Sequence, residues 1–405
     1  MPAPFSRWFR PGPPDGAGPP QAPAPPQAKA SRAAGASALS FVGRPVWTGR
    51  DYASLAREGF RRNAVVHRAV RLIAEAAASM PLTLLDGGAA LSEHPLLALL
   101  RRPNPREGGA RLMESVYGHL MVAGNAYLEA VCLEPVGPPR ELYALRPDRM
   151  RVVPGPDGWP AAYAYGVGEA AVSFPLAGAG VAPILHLTLF HPADDYYGLA
   201  PMEAAAAALD IHNAAAAWNK ALLDNAARPS GALVYAGAAG ATLTDAQFER
   251  LRAELADTYA GAANAGRPLL LEGGLDWKQL SLSPKDMDFL EARAAAAREI
   301  ALACGVPPLL LGLAGDNTHA NYAEANRAFY RQTVIPLVRR TAESLVHWLH
   351  PAFGDLVLEP DLDAVEALAA ERESLWRRVG AAEFLTAEEK REAVGYGRTP
   401  IGEGA

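Results

Sequence analysis

Cysteine is nearly absent: Cys132 and Cys304 are the two in 405 residues. Two cysteines cannot build a disulfide framework, and these lack metal-ligand spacing, which suits a reducing compartment. Long apolar runs are missing too. The alanine-rich stretch after Pro201 is interrupted by Glu203, Asp210, His212, Asn213, Asn219 and Lys220, too polar for a membrane span. The N-terminus has no apolar core of a secretory leader. The chain therefore reads as soluble, with no membrane partner. The loops that mark common enzymes are also lacking: there is no G-x-x-x-x-G-K-[ST], no H-E-x-x-H, no G-x-S-x-G and no dinucleotide loop. No enzymatic activity, ATP site or cofactor is expected.

Net positive charge is lacking outside the N-terminal region. Residues 1–71 hold eleven Lys/Arg against three acids, a net of +8; with −6 overall, the remainder carries −14. Nonspecific affinity for DNA comes from neutralising phosphates, so an acidic body grips DNA poorly and suits a surface past which DNA slides. The basic part suits an acidic partner, DNA, or simply a solvated arm.

What is present is enough apolar residue, 50%, for a sizeable core and two or three domains. Residues 1–50 form a tail expected to be disordered, with ten prolines in the first 26 positions. From Asn63, the spacing of Val65, Val66, Ala69, Val70, Ile73 and Ala77 predicts a helix ended by Pro81. A strand at 81–85 and helices at 94–100 and 110–123 follow. Strands are then expected at 125–133, 140–145, 150–154, 160–165 and 184–190. Pro201 opens a predicted helix to residue 227, roughly 40 Å at 1.5 Å per residue. Residues 228–283 read as a small α/β insertion, with strands at 231–235, 267–271 and 275–280. Its helix, 244–259, starts on a Thr244-x-x-Gln247 capping-box pattern. The fold class is α+β.

The stretch 283–351 is the most strongly patterned. A helix carrying Met287, Leu290, Ala294, Ala297, Ala301 and Cys304 on one face stops at Gly305, and Val306-Pro307-Pro308 forbids its continuation. A polar loop, Gly315-Asp316-Asn317-Thr318-His319, leads to a second helix striped by Tyr322, Phe329, Thr333, Leu337, Thr341, Leu345 and Trp348. Pro336 lies in that stripe and should kink the axis. Beyond it, residues 351–405 read as two weakly amphipathic helices; from Asp361 onward ten acids face six Lys/Arg.

G-V-P-P-L-L-L-G, a short polar loop, N-Y-x-E-x-N-x-x-F-Y and V-I-P-L occur here in order. Upstream stand His94-Pro95-Leu96, Pro103-Asn104-Pro105, Gly124-Asn125-Ala126-Tyr127 and Tyr197-Gly198-Leu199-Ala200-Pro201. This collinear set, over roughly residues 60 to 350, resembles the HK97-like portal proteins of tailed phages, which more often have Ser where Ala200 stands. The resemblance implies a portal fold: a mixed α/β wing (51–200), stem helices at 201–227 and 284–305, and a clip (228–283). A tunnel loop with a long kinked helix (306–350) and a C-terminal crown (351–405) complete it. It further implies a ring of twelve copies at one capsid vertex, assembled in the host cytoplasm, from a phage, a prophage or a gene transfer agent. Double-stranded DNA would pass through the ring. Its implied partners are the major capsid protein, the terminase large subunit and a head-tail adaptor. Residues Gly315 to His319 would face the DNA.

One other reading is a metal-dependent hydrolase. His186, His191, Asp194 and Asp195 are the most metal-like group, His-x4-His followed by paired carboxylates. With His186 in a predicted strand and the rest in a turn, the Asp pair is expected to hydrogen-bond that turn instead.

Overall fold

The computed structural model describes residues 47–134, 136–167, 170–224, 231–235, 244–250, 253, 275–279, 289–313 and 319–398. The tail 1–46, most of the insertion and residues 314–318 lie outside the described residues.

Helix α1 (Ala64–Ala78) begins where Asn63 Oδ1 accepts the Val65 and Val66 N–H groups. Its stripe Val66, Ala69, Val70, Ile73, Ala74 and Ala77 is buried, as the spacing predicts. Strands β1 (Leu82–Asp86) and β2 (Ala89–Leu91) form a hairpin, followed by α2 (Pro95–Arg101) and α3 (Gly109–Ala123). Helix α3 packs on α1 through Leu112, Val116 and Leu120, the centre of the main core.

Strand β3 (Asn125–Cys132) is the middle of an antiparallel sheet, between β4 (Pro139–Leu145) and β8 (Ile184–Thr188). A second sheet holds β5 (Met150–Pro154), β6 (Pro160–Val167) and β7 (Ala170–Pro175). Strand β7 was not expected; its residues are mostly exposed, so it has little apolar alternation to reveal it. Tyr127, Leu145, Met150, Val152, Tyr163 and Ile184 make a second, smaller core from residues of both sheets.

The helix expected over residues 201–227 is broken. Helix α4 (Pro201–Ala204) ends at Ala205, whose φ −89° and ψ 7° leave the helical region, and α5 (Ala206–Asp224) restarts. An all-alanine segment offers no residue to mark such a break. Strands β9 (Gly231–Tyr235) and β10 (Leu275–Gln279) pair antiparallel. The Thr244–Gln247 reciprocal bonds are present, and residues 245–250 are helical. The rest of that predicted helix and strand 267–271 lie outside the described residues.

Helix α6 (Phe289–Ala303) packs on α5. It ends as predicted: Gly305 is left-handed (φ +67°), Gly305 N–H donates to Leu302 O and Val306 N–H to Ala301 O. That is a Schellman stop, with buried Val306 closing over buried Ala301. Helix α7 (His319–Phe329) then runs into α8 (Ile335–Phe353) through a π-helical turn, Tyr330–Val334. The irregularity predicted from Pro336 is thus taken up one turn earlier. Pro336 has no N–H to offer, and the Ile335 N–H reaches back to Tyr330 O. Pro351 lies inside α8 rather than at its end, and Gly354 follows the last turn.

The purely helical reading of residues 351–405 needs correction. Strand β11 (Leu356–Pro360) pairs with β1, Leu84 opposite Leu358, before α9 (Ala369–Gly380) and α10 (Ala387–Val394). Its apolar alternation is short, and its partner lies some 270 residues back in sequence, out of reach of local pattern.

Candidate functional site

Three places carry polar chemistry, two of them singled out by sequence. The first is a knot where α3 ends. Gly124 is left-handed (φ +70°), and a Cβ on it would overlap the Gly198 carbonyl. A Cβ on Gly198 would overlap the Gly124 carbonyl, so both positions demand glycine. Asn125, buried beside them, donates through Nδ2 to Ala123 O (2.8 Å) and Gly198 O (3.3 Å). Its Oδ1 accepts Gly198 N–H (2.8 Å) and faces His186 Nε2 at 2.9 Å. Since Oδ1 can only accept, His186 carries its proton on Nε2, leaving Nδ1 to accept from Tyr163 OH at 3.4 Å. The ring stacks on Tyr127, centroids 4.2 Å apart. Burial pushes the His186 pKa down to about 4, so the ring is neutral. The knot fixes the chain just before Pro201, and so sets where α4 and α5 begin.

The metal-like group does not assemble. His186 is engaged as above, and His191 Nδ1 accepts from the Ala193 N–H. Asp194 Oδ1 accepts the Tyr196 and Tyr197 N–H groups, the turn bonding expected of that pair. Among the described residues no group of three or more His, Cys, Asp or Glu stands close enough to hold an ion.

The second place is the α5–α6 pair. Small residues meet there: Ala208 and Ala215 on α5, and Ala296, Ala297 and Ala301 on α6, all buried with Leu209 and Ile300. One polar cluster interrupts them. With Asn63 Oδ1 committed to the α1 cap, its Nδ2 donates to Asn213 Oδ1 (2.9 Å) and to His212 Nδ1 (3.0 Å). Arg293 Nε lies 3.4 Å from His212 Nε2. A neutral ring accepts from one of these donors, and a protonated ring from neither. Burial, then the guanidinium, holds the His212 pKa below its usual value. Asn213 Nδ2 in turn donates to Glu58 O. The sequence reading missed this cluster; Asn63 at a helix start was the available signal.

The third is the polar loop. Gly315, Asp316, Asn317 and Thr318 lie outside the described residues, and His319 opens α7. Leading into the loop, Pro307 and Pro308 start a short 3-10 turn, Pro308–Leu311, after the Gly305–Val306 stop. No described helix is long and apolar enough to cross a membrane.

Comparison with known proteins bears on the whole chain. The profile of the family described as phage portal protein matches residues 64–395. A chain in the neck of a native gene transfer agent particle, computed with C12 symmetry, is 57% identical. That match covers 89% of this chain and 97% of the other, with a TM-score of 0.66. The probable portal protein of Streptomyces phage phiC31 is 26% identical, over 77% of this chain and 69% of that one. A crystallised HK97-family phage portal protein from Corynebacterium diphtheriae shares the fold, with a TM-score of 0.55 at 17% identity. That likeness covers 80% of this chain and 99% of that one.

Proposed function

This chain belongs to the phage portal protein family, and from that premise we propose that it is the ring-forming subunit of a DNA channel at one capsid vertex. The observation that carries the reading is near full-length likeness, at 57% identity, to a chain in the neck of a gene transfer agent particle. Twelve copies surround the axis in this proposal. Residues 51–200 form the wing that seats the ring among major capsid proteins. The helices in 201–227 and 284–305 form the stem, and 228–283 the clip, where the terminase large subunit docks first and a head-tail adaptor later. Residues 306–350 supply the tunnel loop, Gly315 to His319, and the long irregular helix. Residues 351–405 form the crown, which also sends β11 back to β1 in the wing. The role is structural, and DNA moves through by force applied elsewhere. The stop at Gly305 and the knot at Asn125 support it by anchoring both stem helices to the wing core. The net negative charge of the body suits passage of DNA without tight grip.

Negative-stain electron microscopy with native mass spectrometry tests this. Rings with a central hole and about a dozen subunits are expected. A chain that stays monomeric at every concentration and salt tried overturns it.

A further inference from the structure

A groove of about 520 Å³ lies between α8 and α9. Arg331, Ile335 and Arg339 line one wall at i, i+4, i+8 spacing; Leu375 and Arg378 line the other, with Leu368 also in the lining. Arg331 pairs with Glu371 at 3.3 Å. Arg339 and Arg378 are exposed and make no hydrogen bond or ion pair among the described residues. An apolar base edged by two unspent guanidinium groups fits an occupant that brings an apolar side chain flanked by carboxylate.

The chain itself carries that combination. Phe384, in the turn after α9, is 86% exposed, the most exposed large apolar residue among those described. Glu383 beside it is exposed, with no partner among the described residues. Glu388 and Glu389 follow on α10. The turn is held firmly: Thr386 and Glu389 form a capping box, and Lys390 Nζ donates to Gly380 O at 3.1 Å. Phe190 and Leu302, the next most exposed at 80% each, have no acid next to them in sequence. Nucleic acid offers phosphates to the arginines, but no apolar side chain for Ile335, Leu368 and Leu375.

We propose that the Glu383–Phe384 knob of one copy seats in the Arg339/Arg378 groove of the next. Knob and groove lie close on each chain, Arg378 standing five residues before Glu383, and the pairing of one with the other repeats from copy to copy around the ring. This rests on the ring reading above.

The test uses the full chain, with native mass spectrometry as readout and a thermal melt as folding control. R339E/R378E, and separately E383R/F384A, should each lower the ring fraction about tenfold or more at fixed concentration. Each should still unfold in one cooperative transition, at or somewhat below the parent's midpoint, because ring formation itself stabilises the fold. R339E/R378E combined with E383R in one chain should recover rings, because the reversed charges attract again; R339Q/R378Q serves as the milder variant. Parent rings that neither charge reversal disturbs overturn the proposal alone. Rings kept by R339E/R378E, with loss of salt-sensitive binding to a 30-base-pair duplex, assign the groove to nucleic acid and also overturn it. A parent chain that forms no ring overturns the portal reading and this proposal together.

Discussion

Asn125 holds four hydrogen bonds, three of them to Gly198 and His186 more than sixty residues away, and no other side chain can reproduce them. Asn125→Ala strands the Gly198 N–H and two carbonyls, and should cost roughly 2–4 kcal/mol, read as a lowered thermal midpoint. His186 and His119 give the fold an acid-sensitive component. Burial lowers both pKa values to about 4, from an ordinary 6.5. Between those values the unfolded chain binds the extra protons, so their contribution is fully present above about pH 6.5 and is lost as pH falls towards 4. Denaturant melts between pH 7 and 4.5 should show that decline. His186→Gln should flatten part of it while lowering stability at neutral pH.

Helix ends decide how the elements join. Ala200 is the N-cap of α4 and supplies no side-chain bond. Ala200→Ser should therefore add about 0.5–1 kcal/mol, seen as a raised melting temperature. At the other stop, Thr333 Oγ1 donates to Gly305 O at 2.6 Å, and a Cβ on left-handed Gly305 would come within 2.8 Å of Thr333 Oγ1. Gly305→Ala should cost about 1–2 kcal/mol in an equilibrium unfolding measurement, since both backbone and hydroxyl must give. Thr333 belongs to the π turn, so this bond ties the end of α6 to the irregular segment before α8.

For the whole molecule, the described body starts close to Trp47. Thr48 bonds Asp210 of α5 through its N–H, at 2.9 Å, and through its hydroxyl. Deleting residues 1–46 should leave the melting temperature and ring formation unchanged. Deleting residues 1–50 removes the Thr48 bonds and should lower stability by about 1 kcal/mol. If the shorter deletion abolishes rings, the tail is part of the assembly interface; if it abolishes binding of an acidic partner alone, the tail is a separate arm.

The residues by themselves determined most local structure. Asn63 before a valine-alanine stripe, Gly305 before Val306-Pro307-Pro308, and Thr386 three residues before Glu389 specify helix ends through neighbours within one turn. The strands β3 to β6 were legible for the same reason, and the collinear motifs were legible as a resemblance to portal proteins. Tertiary structure alone decided the rest. The break at Ala205 sits in alanines that any helix tolerates. Placing β11 beside β1 joins residues far apart in the chain. The Asn63–His212–Arg293 cluster joins three helices. The four metal-like residues share a short stretch of sequence, yet the fold sends His186 to Asn125 and Tyr163 and keeps Asp194 for its own turn. Local pattern reports which bonds a residue can make with near neighbours; which distant groups reach it depends on how the buried surfaces pack.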